Sequence, residues 1–324
     1  MFHIVANLDQ EERWLGTPMP RKLQLPIAKM SGLLCALAPA EAPVTIWTCV
    51  DPLWAKELRP LEPSLHWDVP TLAIGTPPSP EVADLVWAQP AARAHNDRRF
   101  ALRLSHELGC ALPGAREVAS VGEVENHLAA GGAASGRDET WVVKAPWSSA
   151  GRHRAFTKGR KFNSDTRVWL ERMFAKGLTL CFEPYMHRIC DVAVCGVIGD
   201  EVRVDPPHAI VTDLRGAFRG IELVHDQLTV GEHDQMIITA ERVAHALQQA
   251  GYQGRFGVDA FVYDDAGNRR LHPLCEINAR YTFGHVAKAL GQRFGTTRFG
   301  LTRDAPAGAK VLMAQEHVFT AWVA

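Results

Sequence analysis

Hydrophobic and polar positions follow two periods along the chain, a strand-like one in short apolar runs and a helix-like one in longer amphipathic segments. Before residue 93 the apolar runs are FHIVANL, VTIWTCV and PTLAIG, joined by proline-containing connectors. RKLQLPIAKMSGLLCALA lies between the first two runs and predicts a helix. Residues 1–92 are therefore predicted to form a small α/β domain, in which no residue pattern indicates catalysis.

Beyond residue 92 the pattern predicts a larger region of helices and strands. Helices are expected where a capping residue precedes an amphipathic segment: at Asn96 or Asp97, at Ser120, in NSDTRVWLERMFAKG, in HDQMIITAERVAHALQQAG and after Thr282. Strands are expected in TWVVKA, LTLCFEPYM, CDVAVCGVIGDEVRV, RFGVDAFVY and RRLHPLCEIN. The segment 205–231 carries weaker signals and predicts strands joined by loops.

The segment LHPLCEINARYTFGH, residues 271–285, has polar groups at alternate positions at the end of an apolar run. Glu276, Asn278 and Arg280 are two residues apart, so on a β-strand all three side chains point to one face. A type II′ turn at Gly267-Asn268 would pair this strand with RFGVDAFVY and put Asp259 directly opposite Glu276. A four-residue loop would instead put Asp259 opposite Leu274.

Two opposed carboxylates on a sheet repel each other unless a cation lies between them. Oxygen ligands without His or Cys are typical of Mg²⁺, which binds through few protein groups and through substrate phosphates. Asp259, Glu276 and Asn278 therefore predict a magnesium site. The alternative interpretation, exposed polar residues on the solvent side of an amphipathic sheet, fits the pattern alone equally well.

A second segment, WVVKAPWSSAGRHR, predicts a phosphate-binding loop after a strand. Small residues let backbone N–H groups approach phosphate oxygens, and Ser148, Ser149 and Gly151 are of this kind. Lys144 and Arg152 add positive charge. The loop is not a Walker A motif, because no GxxxxGK[ST] pattern occurs in the chain.

Composition narrows the function classes. The chain has 324 residues and a net charge of −1, which gives no electrostatic reason to expect a nucleic-acid or anionic-membrane partner. No apolar run reaches the about 18–20 residues of a membrane span. The first residues include acids by position 9 and no basic leader, which argues against a signal peptide. Seven scattered cysteines without a CxxC pair favour reduced thiols and a cytoplasmic location.

VVKAP-SSAGR, CFEPYM and GVDAFVY…LCEINAR occur in the order and approximate spacing of the ATP-grasp family. The chain resembles that family over roughly residues 93 to 290, and the E-x-N-x-R element is its most specific part. The resemblance implies an ATP-grasp fold, with α/β and α+β parts, that follows a small N-terminal α/β domain. The domains would be 1–92, then 93–324, divided into a nucleotide lobe (93–186) and a larger lobe with the metal site (187–324).

The resemblance also implies roles for the positions that match. Lys144 would hold the α- and β-phosphates, and Arg98 stands where many members have a second lysine. Asp259, Glu276 and Asn278 would bind magnesium, as two ions that manganese can replace. Arg280, with Lys144, would act in catalysis by steadying the transferred phosphoryl group.

The adenosine part of ATP would meet a different set of residues. Glu183 and the backbone of Pro184, Tyr185 and Met186 resemble the hinge that recognises adenine. Asp191 falls near the acidic residue that commonly meets the ribose.

The sequence departs from the family at some positions and matches nothing at others. His153 stands where many members have another glycine, so the loop is expected to be stiffer or to reach further. Arginine at position 98 replaces the compact ammonium group of a lysine by a planar guanidinium group. Arg215, Arg219 and Arg255 are candidates to bind the substrate acid, with a solvated turn as the alternative. Four histidines are candidate bases or structural residues: His208, His225, His272 and His285.

The family resemblance implies a cytoplasmic, ATP-dependent carboxylate–amine ligase that acts through an acyl phosphate on small molecules. Many members of the family are dimers, so a homodimer is a further expectation. Two alternatives stay open. The enzyme could be a thiol ligase or a kinase that stops at phosphoryl transfer. The chain could also be a non-catalytic ATP-binding module that controls an interaction of the first domain.

Overall fold

A computed structural model describes most of the chain in ten segments: residues 1–48, 71–74, 77–79, 81–130, 140–148, 151–157, 159, 161–213, 216–315 and 319–324. Two of the predicted site residues, Ser149 and Arg215, lie outside the described residues.

The first elements form a four-stranded parallel sheet in the order β3-β2-β1-β4. The elements are β1 (Phe2–Ala6), α1 (Gln10–Leu15), α2 (Arg21–Met30), β2 (Val44–Thr48), β3 (Thr71–Ile74) and β4 (Leu85–Val86). The three predicted strands and the helix between the first two are confirmed. Helix α1 was not predicted; it has Glu11 and Glu12 in its first turn, where acids favour the helix dipole, and it ends at Gly16 with φ of 66°.

A second four-stranded sheet, antiparallel in the order β5-β8-β6-β7, follows. The strands of this sheet and the helices that alternate with them are α3 (Arg98–Glu107), β5 (Arg116–Val118), α4 (Val121–Ala129), β6 (Trp141–Lys144), β7 (Arg154–Phe156), α5 (Ser164–Ala175) and β8 (Leu180–Pro184). The predicted caps are confirmed: Asp97 accepts a hydrogen bond from the Arg99 N–H, and Ser120 accepts one from Glu123. These caps fix where α3 and α4 begin.

The third sheet has nine strands, in the order β14-β13-β9-β11-β12-β15-β17-β16, with β10 paired to β9. Its elements are β9 (His187–Ile198), β10 (Val202–Val204), β11 (His208–Thr212), β12 (Phe218–Glu222), α6 (Val230–Gln249), β13 (Gly254–Asp265), β14 (Asn268–Asn278), α7 (Phe283–Phe294), β15 (Arg298–Thr302), β16 (Lys310–Gln315) and β17 (Phe319–Val323). The weak segment 205–231 does contain two strands. Helix α6 begins three residues before the predicted segment, because Thr229 and Glu232 form a capping box.

The hairpin of β13 and β14 pairs Asp259 with Glu276 as predicted, but through a different turn and a bulge. The turn residues are Ala266 and Gly267, with φ of 54° and 91°, so the turn predicted at Gly267-Asn268 is wrong by one residue. A bulge then shifts the register near residue 260. Beyond the bulge Asp259 faces Glu276, as predicted.

Apolar side chains join the sheets to the helices. Ala101 and Leu104 of α3 lie in one buried cluster with α6 and strands β9, β13 and β14. Because of this packing, the N-terminus of α3 is held beside the end of β14. No helix among the described residues is long and apolar enough to span a bilayer.

Candidate active site

The predicted metal ligands lie together at the end of the β13–β14 hairpin. Asp259 and Glu276 face each other across the two strands, and Asn278 faces Gly257 one pleat along. The Asn278 amide donates a hydrogen bond to Asp259 Oδ2 at 3.1 Å. Asn278 is 5% exposed, so it does not lie on the solvent side of the sheet, as the alternative interpretation required.

The electrostatics of this pair suit a cation. Burial, and then the nearby Glu276 carboxylate, raise the pKa of Asp259 to about 7. A carboxylate that is costly to ionise alone becomes favourable to ionise beside a bound cation. In the described residues no group of three or more His, Cys, Asp or Glu is arranged around a metal site. The donors here are two carboxylates and an amide, a set that fits Mg²⁺.

Arg98, at the first position of α3, connects the hairpin to the phosphate-binding loop. One Nη donates to Glu276 Oε1 at 2.9 Å and to the Ser148 carbonyl at 2.8 Å. The other Nη donates to the Ser148 hydroxyl at 2.7 Å and to the Ala145 carbonyl at 3.0 Å. Burial alone would lower the pKa of Arg98, but Glu276 and Glu11 outweigh it and raise the pKa. The planar fork of arginine makes this bridge, which a lysine would not reproduce.

Lys144, at the end of β6, points toward β8 and pairs with Glu183. The Lys144 Nζ lies 2.6 Å from Glu183 Oε2, and the two side chains are 13% and 12% exposed. Burial lowers the pKa of the lysine, but Glu183 outweighs it and raises the pKa. Burial raises the pKa of Glu183, and Lys144 outweighs it and lowers the pKa. Both groups are therefore charged and next to each other.

The described part of the phosphate-binding loop has two residues in the left-handed backbone region. Gly151 has φ of 68°, and a Cβ there would come within 3.1 Å of the Arg154 guanidinium. His153 has φ of 50°, a conformation that glycine adopts without a steric cost and that other residues adopt rarely. The His153 carbonyl accepts the Ala145 N–H at 3.0 Å, which closes the base of the loop.

The predicted adenine hinge, residues 183–186, spans the last two residues of β8 and the two that follow it. The Tyr185 N–H donates to the Thr140 carbonyl at 2.9 Å, so this donor is already used within the protein. Tyr185 is 48% exposed, whereas Met186 packs against a small buried cluster. Asp191 pairs with Arg188 at 2.5 Å and lies opposite Phe261 on β13.

Helix α1 brings two acids to two of the predicted arginines. Arg280 donates to Glu11 Oε1 from Nε at 3.0 Å and from Nη2 at 2.8 Å. Arg152 donates to Glu12 Oε1 from Nε at 2.8 Å. Glu11 and Glu12 are 5% and 1% exposed. The N-terminal region, in which no pattern indicated catalysis, therefore contacts both the loop and the strand end.

A cavity of about 440 Å³ opens between the N-terminal sheet and the nine-stranded sheet. Four of its polar lining residues, called its polar end below, are hydrogen-bonded in pairs: Asp259 with Asn278 and Arg280 with Glu11. The remainder is lined largely by apolar side chains, which sequence reasoning missed: Leu8, Ile27, Met30, Trp87, Ile210, Phe218, Ile221, Phe283, Leu301 and Phe319. These residues come from distant segments, so no local pattern marks them.

The substrate-binding candidates separate in space. Arg219 lines this cavity and pairs with Asp213 at 2.6 Å. Arg255 lines a second cavity of about 560 Å³ and is not among the residues that line the first.

The candidate bases also separate. His208 lines the first cavity, and burial lowers its pKa to about 3, which makes it a weak proton acceptor. His285 Nδ1 accepts the Thr282 N–H at 3.1 Å, which is a capping role. His272 lies 3.0 Å from the Cys110 carbonyl, and His225 accepts the Gln227 N–H at 3.3 Å.

Comparisons with known proteins identify the fold. No protein-family model matches the sequence, and no curated protein matches it. Among solved structures, the chain is similar to N5-carboxyaminoimidazole ribonucleotide synthetase from Thermus thermophilus, with a TM-score of 0.56 at 13% identity over 100% of this chain and 93% of that one. It is also similar to carboxyaminoimidazole ribonucleotide synthase from Aspergillus clavatus complexed with ATP, with a TM-score of 0.54 at 13% identity over 99% and 92% of the two chains.

A further structure of the Aspergillus clavatus synthase, with ADP and 5-aminoimidazole ribonucleotide, matches with a TM-score of 0.52 at 14% identity over 91% of this chain and 90% of that one. These proteins have the ATP-grasp fold, and so has this chain, which confirms the fold class predicted from its sequence. The likeness covers the N-terminal sheet as well as the region of the motifs.

Proposed function

We propose that this protein is an ATP-dependent ligase that joins a carboxylate to an amine, with release of ADP and phosphate. One observation carries the proposal: Asp259 and Glu276 face each other with Asn278 beside them, and Asp259, Asn278 and Arg280 line a cavity large enough for a small molecule. ATP would lie between the lobes 93–186 and 187–324, with residues 1–92 forming part of the cavity wall.

The residues divide the work of phosphoryl transfer. Lys144, Ser148 and Gly151 would hold the phosphates of ATP, and Arg98 would position the loop against Glu276. Mg²⁺, as one or two ions held by Asp259, Glu276 and Asn278, would neutralise charge on the phosphate oxygens. Phosphoryl transfer depends mostly on such positioning and charge neutralisation.

The reaction would proceed in two steps. A carboxylate oxygen of the acid attacks the γ-phosphorus, the bond from that phosphorus to the β–γ bridging oxygen breaks, and ADP leaves. The amine nitrogen then attacks the acyl carbon, phosphate leaves, and the amine proton passes to solvent or to the departing phosphate. Arg280, beside the cavity, would offset charge on the transferred group, and closure of the 146–154 loop would exclude water from the acyl phosphate.

Two further observations support parts of the proposal. Two of the similar structures were solved as complexes, one with ATP and the other with ADP. The six cysteines within the described residues are free thiols, which agrees with the proposed cytoplasmic location.

Trapping of the acyl phosphate tests the proposal without knowledge of the natural amine. The protein is incubated with ATP, Mg²⁺, hydroxylamine and a panel of carboxylic acids, and ADP and hydroxamate are measured. We expect ADP and hydroxamate in equal amounts with at least one acid. ADP without hydroxamate favours a kinase that phosphorylates another group, and ATP binding without ADP favours a non-catalytic module.

A further inference from the structure

The cavity beyond the metal ligands has a hydrocarbon wall. Four aromatic side chains line it, of which Phe283 is central: its ring centroid lies 5.7 Å from that of Phe218 and 5.5 Å from that of Trp87. Phe319 is the fourth, and aliphatic side chains such as Ile27 complete the wall. A wall of this kind favours an apolar ligand, because water leaves both surfaces on binding.

The positive groups around this cavity are already matched by acids. Among the described residues that line it, the cations are Arg152, Arg219 and Arg280. Their partners are Glu12, Asp213 and Glu11 respectively. The histidine in the wall, His208, is neutral because burial lowers its pKa.

This charge balance separates two classes of acid. A phosphorylated ligand carries close to two negative charges, whereas each cation among the described lining residues is already paired with an acid. A monocarboxylate carries a single charge and needs less compensation at the polar end. The remainder of such a molecule then lies against hydrocarbon.

We infer that the substrate acid is a monocarboxylic acid with an aromatic or branched aliphatic side chain, and that this side chain occupies the apolar part of the cavity. The inference rests on the proposed ligase function for the identity of the reacting group. It rests on the cavity wall alone for the apolar character of the side chain. One of the similar structures contains a ribonucleotide, which is a ligand of that protein and is not part of this inference.

The test compares probes of each class in two assays. The probes are 3-phenylpropanoate and 4-methylpentanoate as apolar acids, succinate and glycolate as polar acids, and ribose 5-phosphate. Calorimetry measures binding to the full chain without turnover, and the hydroxamate assay measures kcat/KM. We expect kcat/KM for 3-phenylpropanoate to exceed that for glycolate by at least about 100-fold, since each methylene in an apolar pocket contributes roughly tenfold or more.

A pair of matched variants tests whether the side chain of the substrate acid occupies the cavity. Phe218→Ala removes a half-buried ring from the wall, and Phe294→Ala removes a half-buried ring at the end of α7, outside the lining. We expect Phe218→Ala to raise KM for 3-phenylpropanoate about tenfold relative to Phe294→Ala, with KM for glycolate unchanged. Phe218→Leu should restore most of the affinity, and an unchanged ATP affinity verifies the fold in each variant.

Each outcome has a distinct meaning. Preference for succinate, glycolate or ribose 5-phosphate overturns the inference and leaves the ligase proposal standing. Saturable binding of apolar acids without ADP formation overturns the ligase proposal and leaves the cavity assignment standing. If Phe218→Ala and Phe294→Ala behave alike, or if no probe binds, the inference is wrong.

Discussion

The two ends of the cavity differ in their chemistry and in the parts of the chain that build them. The polar end takes Asp259, Asn278 and Arg280 from one hairpin and the residues after it, and Glu11 from α1. The apolar end combines Leu8, helix α2, the residue after β4, strands β11, β12, β15 and β17, and the start of α7. Hydrogen-bond register fixes Asp259 and Asn278 in the first end, whereas packing between distant elements fixes the second.

The ends should therefore respond differently to substitution. At the polar end Arg280 pairs with Glu11, and the hairpin and the strand before the loop add two pairs outside the cavity lining, Arg98 with Glu276 and Lys144 with Glu183. Removal of one partner from a buried pair leaves the other charge uncompensated. At the apolar end a ring can be exchanged for another hydrocarbon at small cost. We expect changes at the polar end to affect chemistry and ATP binding, and changes at the apolar end to affect one substrate.

The largest effect is expected from Glu276→Gln. The substitution keeps the size of the side chain but removes the charge that faces Asp259 and pairs with Arg98. We expect kcat for ADP formation to fall about 10²–10³-fold, as for loss of a single charge-stabilising group in other enzymes. Glu171→Gln, on the exposed face of α5, serves as the control. A magnesium-dependent rate within about threefold of the parent would falsify the metal assignment.

The next effect concerns ATP affinity. Lys144→Ala removes the cation from the loop and leaves the largely buried Glu183 unpaired. We expect the dissociation constant of ATP, measured by calorimetry, to rise by about 100-fold, and the free energy of unfolding to fall by about 3–5 kcal/mol.

A double variant separates these two consequences. Lys144→Met with Glu183→Gln removes both charges, so the stability should largely recover while ATP affinity stays low. If ATP affinity recovers together with stability, Lys144 acts on the fold and not on the phosphates.

The predictability of the site follows the same division. Strand periodicity predicted that Glu276 and Asn278 share a face, and an assumed turn predicted that Asp259 lies opposite Glu276; Arg280 lies beyond the end of β14. The turn was placed one residue late, and a bulge near residue 260 restored the predicted pairing. Caps are local signals: a cap at Asn96 or Asp97 was predicted and Asp97 is the cap, whereas the cap at Thr229 was not predicted.

The remainder of the site depends on contacts between distant segments. Helix α1 is six residues long, too short for a clear hydrophobic period, so Glu11 and Glu12 were not assigned a role. The contact of Glu11 with Arg280 spans 269 positions of the sequence. The apolar wall has the same character, because Ile27 and Phe319 are adjacent to one cavity only after the sheets pack together.

The pH dependence of Asp259 distinguishes the polar end in another way. Its pKa is about 7 in the folded protein, because of burial and then Glu276, against an ordinary value of 3.8. The folded state therefore holds a proton that the unfolded state has lost, so this residue stabilises the protein below about pH 3.8 and loses that effect as the pH rises through about 7. The pKa values of His208, His272 and His285 are lowered, so these residues make the folded protein more stable as the pH rises, which is opposite to the effect of Asp259.

The difference between the parent and Asp259→Asn isolates this residue. The free energy of unfolding of both proteins is measured by urea titration without Mg²⁺. We expect the parent to lose stability relative to Asp259→Asn as the pH rises from about 5 to about 8. The apparent affinity for Mg²⁺ in the parent should fall about tenfold per pH unit below about pH 7, because a proton competes with the cation. A difference that does not vary with pH would contradict the raised pKa.

The smallest effect is expected where the N-terminal helix meets the polar end. Glu11→Gln keeps an oxygen near Arg280 but removes its charge, so the guanidinium is held less firmly. We expect kcat to fall about fivefold, which corresponds to about 1 kcal/mol, with little change in the affinity for ATP. Glu107→Gln, at the exposed end of α3, is the control. A fall confined to ATP affinity would mean that α1 acts through the phosphate loop, where Glu12 meets Arg152, and not through Arg280.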